Sequence, residues 1–315
     1  MNSFAIERTR VERRVSGENV WLCCADADDG AELDSFSPHS LDYEVLESEE
    51  AVGRAMFAEL ETAARSSERD LTLVIVGGRG GQSFHRLLGE KSKTSEIDQL
   101  LGRLNVFTQD ALAPMQMDNA FSFVRDFERL LGEAFFQKIK SFTSMQTNAS
   151  DLESGLMSYL EQLESCGPID IFFLGLGPEA NAASHLAYIK PNSRARATDV
   201  AGLIPISKDI LEHHISKFKA GGAFVSEADE IECRHATHIL TLGPAAILGA
   251  KRIVQSIVDA DTAPAKRESF QKLIETEISS DHRTRARQFD ENPGLWIRLH
   301  SNVRSLILPN VLNAS

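Results

Sequence analysis

Apolar residues in this chain follow two alternating patterns. Some form short unbroken runs closed by glycine or an acid, and others recur every three to four positions among charged residues. The first pattern reads as buried parallel strand and the second as amphipathic helix. Runs of the strand kind are Leu71 to Val76, Asn105 to Thr108, Ile169 to Leu176, Thr237 to Gly243, Arg252 to Val258 and Val303 to Leu308, with Val20 to Cys23 expected as an edge strand. Helical spacing covers 47–66, 82–88, 96–104, 119–136, 149–164 and a short piece at 244–248, with a helical turn at 296–300. Helix follows strand repeatedly, and the connections are long enough for crossovers. The pattern therefore predicts an α/β fold with a mainly parallel central sheet and helices on both faces. Residues 1–44, in which Asp26, Asp28, Asp29 and Asp34 suit no core, read as an N-terminal decoration on one domain spanning 45–315.

Composition narrows the partners. A formal charge of -13, from 33 basic and 46 acidic residues, opposes binding to nucleic acid or an anionic membrane. A small anion held by a few cations and backbone amides stays compatible with that field. Cys23, Cys24, Cys166 and Cys233 show no Cys-x-x-Cys spacing and read as reduced thiols, and no apolar run reaches the roughly 20 residues of a membrane helix. A soluble, cytoplasmic protein is expected, with a homo-oligomer left open.

The chemistry is expected where strands end, because open α/β sheets bind ligands beyond the carboxyl ends of their strands. The run at 169–176 stops at glycines and releases Glu179, Asn181 and His185. Asp110 follows the strand at 105–108, and two carboxylates and a histidine at one rim can divide the work of acid and base. Gly77, Gly78, Arg79, Gly80 and Gly81 link a strand to a helix, where backbone N–H groups and a guanidinium suit a phosphate; a plain tight turn is the alternative. The spacing matches neither common nucleotide-binding glycine motif. Of the other histidines, His213 and His214 read as helix-surface residues rather than metal ligands and His238 as a packed strand residue, while His300 stays unassigned.

The order of elements and three of the loops resemble the superfamily of glucosamine-6-phosphate deaminase/isomerase and 6-phosphogluconolactonase, over roughly residues 45 to 310. Gly77-Gly78-Arg79-Gly80-Gly81-Gln82-Ser83-Phe84-His85-Arg86-Leu87-Leu88 is similar to the family's Gly-Gly-Ser-Thr-Pro-x-x-Leu-Tyr-x-x-Leu loop. Val106 to Ala111 looks like the segment that carries Asp-Glu, and Gly175 to Ser184 resembles Gly-x-Gly-Pro-Asp-Gly-His-Thr-Ala-Ser. The stretches 236–243 and 295–303 favour the deaminase/isomerase branch. The resemblance implies a Rossmann-like domain, no redox cofactor and no metal. It also implies ring opening of a 6-phospho (amino)sugar followed by proton transfer between C1 and C2, with Asp110 as the base and Lys217 joining the glycine loop at the phosphate.

The chain departs from the family pattern at Ala111, Ala180 and Asn181, and asparagine moves no proton near neutral pH. A second alignment, on His185-Leu186-Ala187-Tyr188-Ile189-Lys190-Pro191-Asn192-Ser193, restores the histidine and puts Lys190 where the family has glutamate. The lysine that the family carries near Asp261 falls on Thr262, with Lys266 a turn later. A sugar-phosphate-binding protein without turnover and a lactonase-like hydrolase are the alternatives to an isomerase or deaminase.

Overall fold

The computed structural model describes residues 11–24, 36–178, 184–220 and 224–312. Its strands are β1 Val11–Ser16, β2 Asn19–Cys24, β3 Tyr43–Val45, β4 Leu71–Ile75, β5 Leu104–Thr108, β6 Asp110–Ala113, β7 Ser141–Thr143, β8 Ile171–Pro178, β9 Ser184–Leu186, β10 Asp199–Pro205, β11 His238–Leu242, β12 Arg252–Ile257 and β13 Val303–Ile307. The helices that shape the site are α1 Glu49–Arg65, α2 Arg79–Ser92, α3 Phe123–Lys138, α4 Lys208–Ala220 and α5 Ala265–Glu275.

The central sheet runs β3-β13-β12-β8-β4-β5-β7, and every neighbouring pair in that order is parallel. All five residues of β4 and of β5 are buried, which is why both read as continuous apolar runs rather than alternating ones. From β4 the chain builds outward through β5 and β7, then returns to lay β8 on the other side of β4 before adding β12 and β13. Strand order thus reverses between β4 and β8. A crevice opens at such a point because the two loops leave the sheet in opposite directions. One large apolar cluster includes Phe172, Leu174, Phe107 and Trp296, and a second includes Phe173, Phe84, Phe127 and Val254. Side chains of Phe172 and Phe173, neighbours on β8, enter different clusters because successive strand residues face opposite sides.

A second sheet, β1-β2-β10-β11-β6, is antiparallel throughout and corrects two expectations. The run at 238–242 belongs to this sheet and not to the parallel one. Periodicity reports burial on both faces, which β11 shares with the parallel strands, and carries no information on strand direction. The segment Val20 to Cys23 is interior, paired to β1 on one side and β10 on the other, and Trp21 is fully buried. Gly202 faces that indole, 2.7 Å from where a Cβ would lie. The edge strand is β1 instead.

The helix expected over 96–104 contracts to Asp98–Leu101, because Leu104 already begins β5. The one expected from 119 starts at Phe123, where the Ser122 hydroxyl caps it by accepting from the Val124 amide. No helix among the described residues is long and apolar enough to cross a membrane.

Candidate active site

Four ends of parallel strands line one cavity: Val76 to Gly78 after β4, Gln109 and Asp110 after β5, Gly175 to Gly177 in β8, and Ser256 and Asp259 at the end of β12. Helix α4 lines it with His213, His214, Lys217 and Phe218, residues at i, i+1, i+4 and i+5 on one helical face. His185, Ala187 and Tyr188 complete it from the β9 turn, and Lys266 from α5.

At the glycine segment only Gly77 and Gly78 form the loop, and α2 begins at Arg79. Gly78 holds a left-handed φ of 70°, which favours a residue without a Cβ. Gly80 packs under Ser256, whose hydroxyl donates to the Gly80 carbonyl at 2.8 Å, and this fastens the start of α2 to the end of β12. Gly77, Gly78, Arg79 and Gly80 line the cavity, whereas Gly81 does not. A Cβ at Gly81 would fall 2.6 Å from the Val76 carbonyl oxygen, so that glycine serves close packing. Arg79 turns to Glu49 in the first turn of α1, with its Nε 3.0 Å and Nη2 2.6 Å from one carboxylate oxygen, and this pair raises the guanidinium pKa.

Asp110 is the first residue of β6 rather than a turn residue, and it pairs with Thr241 of β11. Its carboxyl is 3% exposed. Burial pushes its pKa from 3.8 up to about 7, against the opposing effect of the hydrogen bond donated by the Gln109 side-chain amide. The phenols of Tyr159 and Tyr188 lie near enough to have their own ionisation opposed by it, after burial as the larger cause.

His185 lies opposite Gly177 in the β8–β9 pairing, and its ring stacks on Tyr188 with centroids 4.5 Å apart. A Cβ on Gly177 would sit 2.0 Å from the imidazole, so the glycine makes room for the ring. Gly177→Ala is therefore expected to destabilise by about 1–3 kcal/mol and to expel His185 from the cavity, as read by denaturant melts and by loss of its imidazole NMR shifts. The turn after β9 places both Ala187 (φ 48°) and Tyr188 (φ 57°) in the left-handed region, closed by reciprocal hydrogen bonds between Leu186 and Ile189. Such strain in residues with a Cβ collects at sites where an unusual direction of the side chain is needed. Glu179 and Asn181, the other candidates from this loop, lie outside the described residues.

The cationic end is built from residues that sequence reasoning only partly found. Lys266 and Asp259 form a buried ion pair at 2.6 Å. Burial pushes Asp259 up, and the Lys266 ammonium outweighs it, with Lys217 and His213 adding to a lowered carboxyl. Lys217 donates to Thr262 at 2.6 Å, and burial, with Lys266 and Arg79 nearby, lowers its pKa. His213 is pushed down to about 4 by burial and by the two lysines.

His213 and His214 are thus not surface residues. His214 is buried, its Nε2 2.7 Å from the Phe121 carbonyl, and the helix face carrying both is the one that meets the cavity. Lys190 turns away and donates to the Pro205 carbonyl, and His300 contacts the Ala250 carbonyl through Nε2. Among the described residues, no group of three or more His, Cys, Asp or Glu could hold a metal ion.

The cavity thus brings a buried carboxyl and a histidine together with two lysines and the start of α2. No family model matches the chain. It is 28% identical over 182 residues to glucosamine-6-phosphate deaminase 1 of Bacillus subtilis, a match covering 56% of this chain and 62% of that protein, so just under two thirds of that relative's length. It is 24% identical over 252 residues to the glucosamine-6-phosphate deaminase of Clostridium beijerinckii, covering 79% and 89%. Among solved structures, a monomeric glucosamine-6-phosphate deaminase superposes with a TM-score of 0.65 at 20% identity, over 86% of this chain and 98% of that one. The 6-phosphogluconolactonase of Trypanosoma cruzi gives 0.61 at 14%, over 88% and 97%. The chain shares the fold of these deaminase and lactonase structures, and its sequence is similar to those of two glucosamine-6-phosphate deaminases.

Proposed function

We propose that the protein is an isomerase or deaminase acting on a 6-phosphorylated sugar or amino sugar. The observation that carries this reading is the placement of one buried carboxyl, Asp110 with a pKa near 7, in the same cavity as Lys217, Lys266 and the start of α2. A carboxyl tuned near neutrality serves as base and then as acid within one cycle. The chain's likeness to two glucosamine-6-phosphate deaminases supports that chemistry over lactone hydrolysis.

In this reading His185 moves a proton between the ring oxygen and the C1 hydroxyl as the ring opens. Ionised Asp110 then takes the proton from C2 as the freed electron pair forms a C1–C2 double bond and the C1 carbonyl pair moves to its oxygen. The carboxyl exchanges with solvent and delivers a proton to C1, while His185 passes the proton of the C2 amine or hydroxyl to the C1 oxygen. With an amino sugar this leaves an imine at C2, which water hydrolyses to release ammonia. The N–H groups of the first turn of α2 and the Lys217 ammonium hold the phosphate, and Arg79 joins them by leaving Glu49.

A second reading, a sugar-phosphate-binding protein without turnover, draws on Ala111 in place of an acid and on the Arg79–Glu49 pair. A thermal-shift panel of hexose and aminohexose 6-phosphates tests the shared premise, since a ligand at a hundred times its Kd adds about 2.7 kcal/mol. Arg79→Ala is expected to weaken a phosphorylated ligand about tenfold and to leave its dephosphorylated analogue unchanged. Equal effects on both would reject phosphate contact.

A further inference from the structure

Gln109 occupies the single position between β5 and β6, where the chain leaves the parallel sheet and enters the antiparallel one. Its backbone is fixed from both sides. The N–H donates to the Ile75 carbonyl at the end of β4, at 3.1 Å, and the carbonyl accepts from the Leu242 amide at the end of β11, also at 3.1 Å. The side chain is 3% exposed and lines the cavity. Its amide nitrogen donates to the Asp110 Oδ2, which leaves Oε1 as a buried acceptor with no hydrogen-bond partner.

A buried amide oxygen without a donor is destabilising, so natural sites retain one where something arrives to satisfy it. The cavity offers little that could. The cationic groups near its far end are engaged, Lys217 with Thr262, Lys266 with Asp259 and Arg79 with Glu49. The phenols of Tyr159 and Tyr188 feel the charge of Asp110, but neither hydrogen-bonds Gln109 Oε1, and Tyr159 spends its hydroxyl on the Thr108 carbonyl. The acceptor therefore meets its donor on the ligand.

We infer that Gln109 orients both partners of the proton transfer: its amide N–H holds Asp110, and its Oε1 accepts a hydrogen bond from the amine or hydroxyl on C2 of the sugar. This rests on the sugar-phosphate reading and deepens it, because it makes a hydrogen-bond donor at C2 the feature selected. The fork is rigid, since its backbone belongs to both sheets, so the carboxylate and the C2 substituent are held in one register.

The two ends of the amide separate by substitution in the full chain. Gln109→Met removes both donor and acceptor, and Gln109→Glu keeps an acceptor while removing the donor to Asp110. Calorimetry with glucosamine 6-phosphate, glucose 6-phosphate and 2-deoxyglucose 6-phosphate is expected to show wild type binding the first two about tenfold more tightly than the third. Gln109→Met should erase that difference and Gln109→Glu should retain it. The Asp110 titration, followed through the carboxyl carbon by NMR, should move upward in both variants, because each loses the N–H that favours the ionised form.

An equal loss by Gln109→Met of all three ligands, or no loss of any, would overturn the acceptor role while leaving the sugar-phosphate reading in place. An Asp110 titration unmoved in both variants would overturn the orienting role. Wild type that binds none of the three would refute the sugar-phosphate reading and this inference with it. If Gln109→Met does not fold, Gln109→Glu and Gln109→Asn with the same three ligands decide the matter, since the shorter Asn should lose the C2 discrimination that Glu keeps.

Discussion

Asp110→Asn is expected to reduce turnover of the proper sugar phosphate by three orders of magnitude or more while binding stays within about threefold. The amide keeps the shape and most of the polarity of the carboxyl and removes the proton-carrying function. The same substitution is expected to stabilise the fold above neutral pH. A carboxyl whose pKa rises from 3.8 unfolded to about 7 folded keeps its proton in the native state after the unfolded chain has released it. Stability is therefore full below about pH 4 and falls through the window between 4 and 7, by roughly 4 kcal/mol in all. Denaturant melts at pH 5 and pH 8 should show the variant gaining on wild type as pH rises. Wild-type activity runs the other way, rising about tenfold per unit to a plateau above pH 7, because the base must be ionised to take a proton. A variant with undiminished rate, or one that loses stability at pH 8, would reject this role.

Lys266→Met should be the most destabilising change at the cationic end. It leaves the Asp259 carboxylate buried, with only Lys217 and His213 as cationic neighbours, and breaking such a pair costs about 3–5 kcal/mol. Asp259 is held below its ordinary value mainly by Lys266, so the loss should be present at neutral pH and vanish as the carboxyl is protonated in acid. The double change Asp259→Asn with Lys266→Met should recover most of the stability, because no unpaired charge remains. It should still bind a phosphorylated ligand more weakly, since one cation is gone. Melts of the two variants and wild type at pH 4 and pH 7 check this, and a single variant as stable as wild type at both values would show that the pair is not buried in solution.

Much of this arrangement was legible in the residues. Runs such as Leu71 to Val76 and Ile169 to Leu176 are continuous because parallel strands are buried on both faces, and their ends mark the rim where Gly78, Asp110 and His185 meet. The same rule applied to the run at 252–258 would have reached Asp259, which lies two residues past β12 as Asp110 lies two residues past β5. Gln109 gave no signal, because its role depends on which carbonyls and amides flank it across two sheets. His213 and His214 read as surface because a helix face carrying His, His, Lys and Phe looks mixed, and only tertiary packing turns it toward the cavity. The antiparallel sheet stayed hidden for a related reason: β10 and β11 are as buried as the parallel strands, so period alone cannot separate the two directions.

The most direct test of the account is proton exchange. Glucosamine 6-phosphate or glucose 6-phosphate incubated with the full chain in D2O should yield ketose 6-phosphate carrying deuterium at C1, seen by NMR, with no incorporation when Asp110→Asn replaces the wild type. Incorporation that persists in Asp110→Asn, or its absence from wild type across all hexose and aminohexose 6-phosphates, would contradict the assignment of Asp110 as the group that carries the proton between C2 and C1.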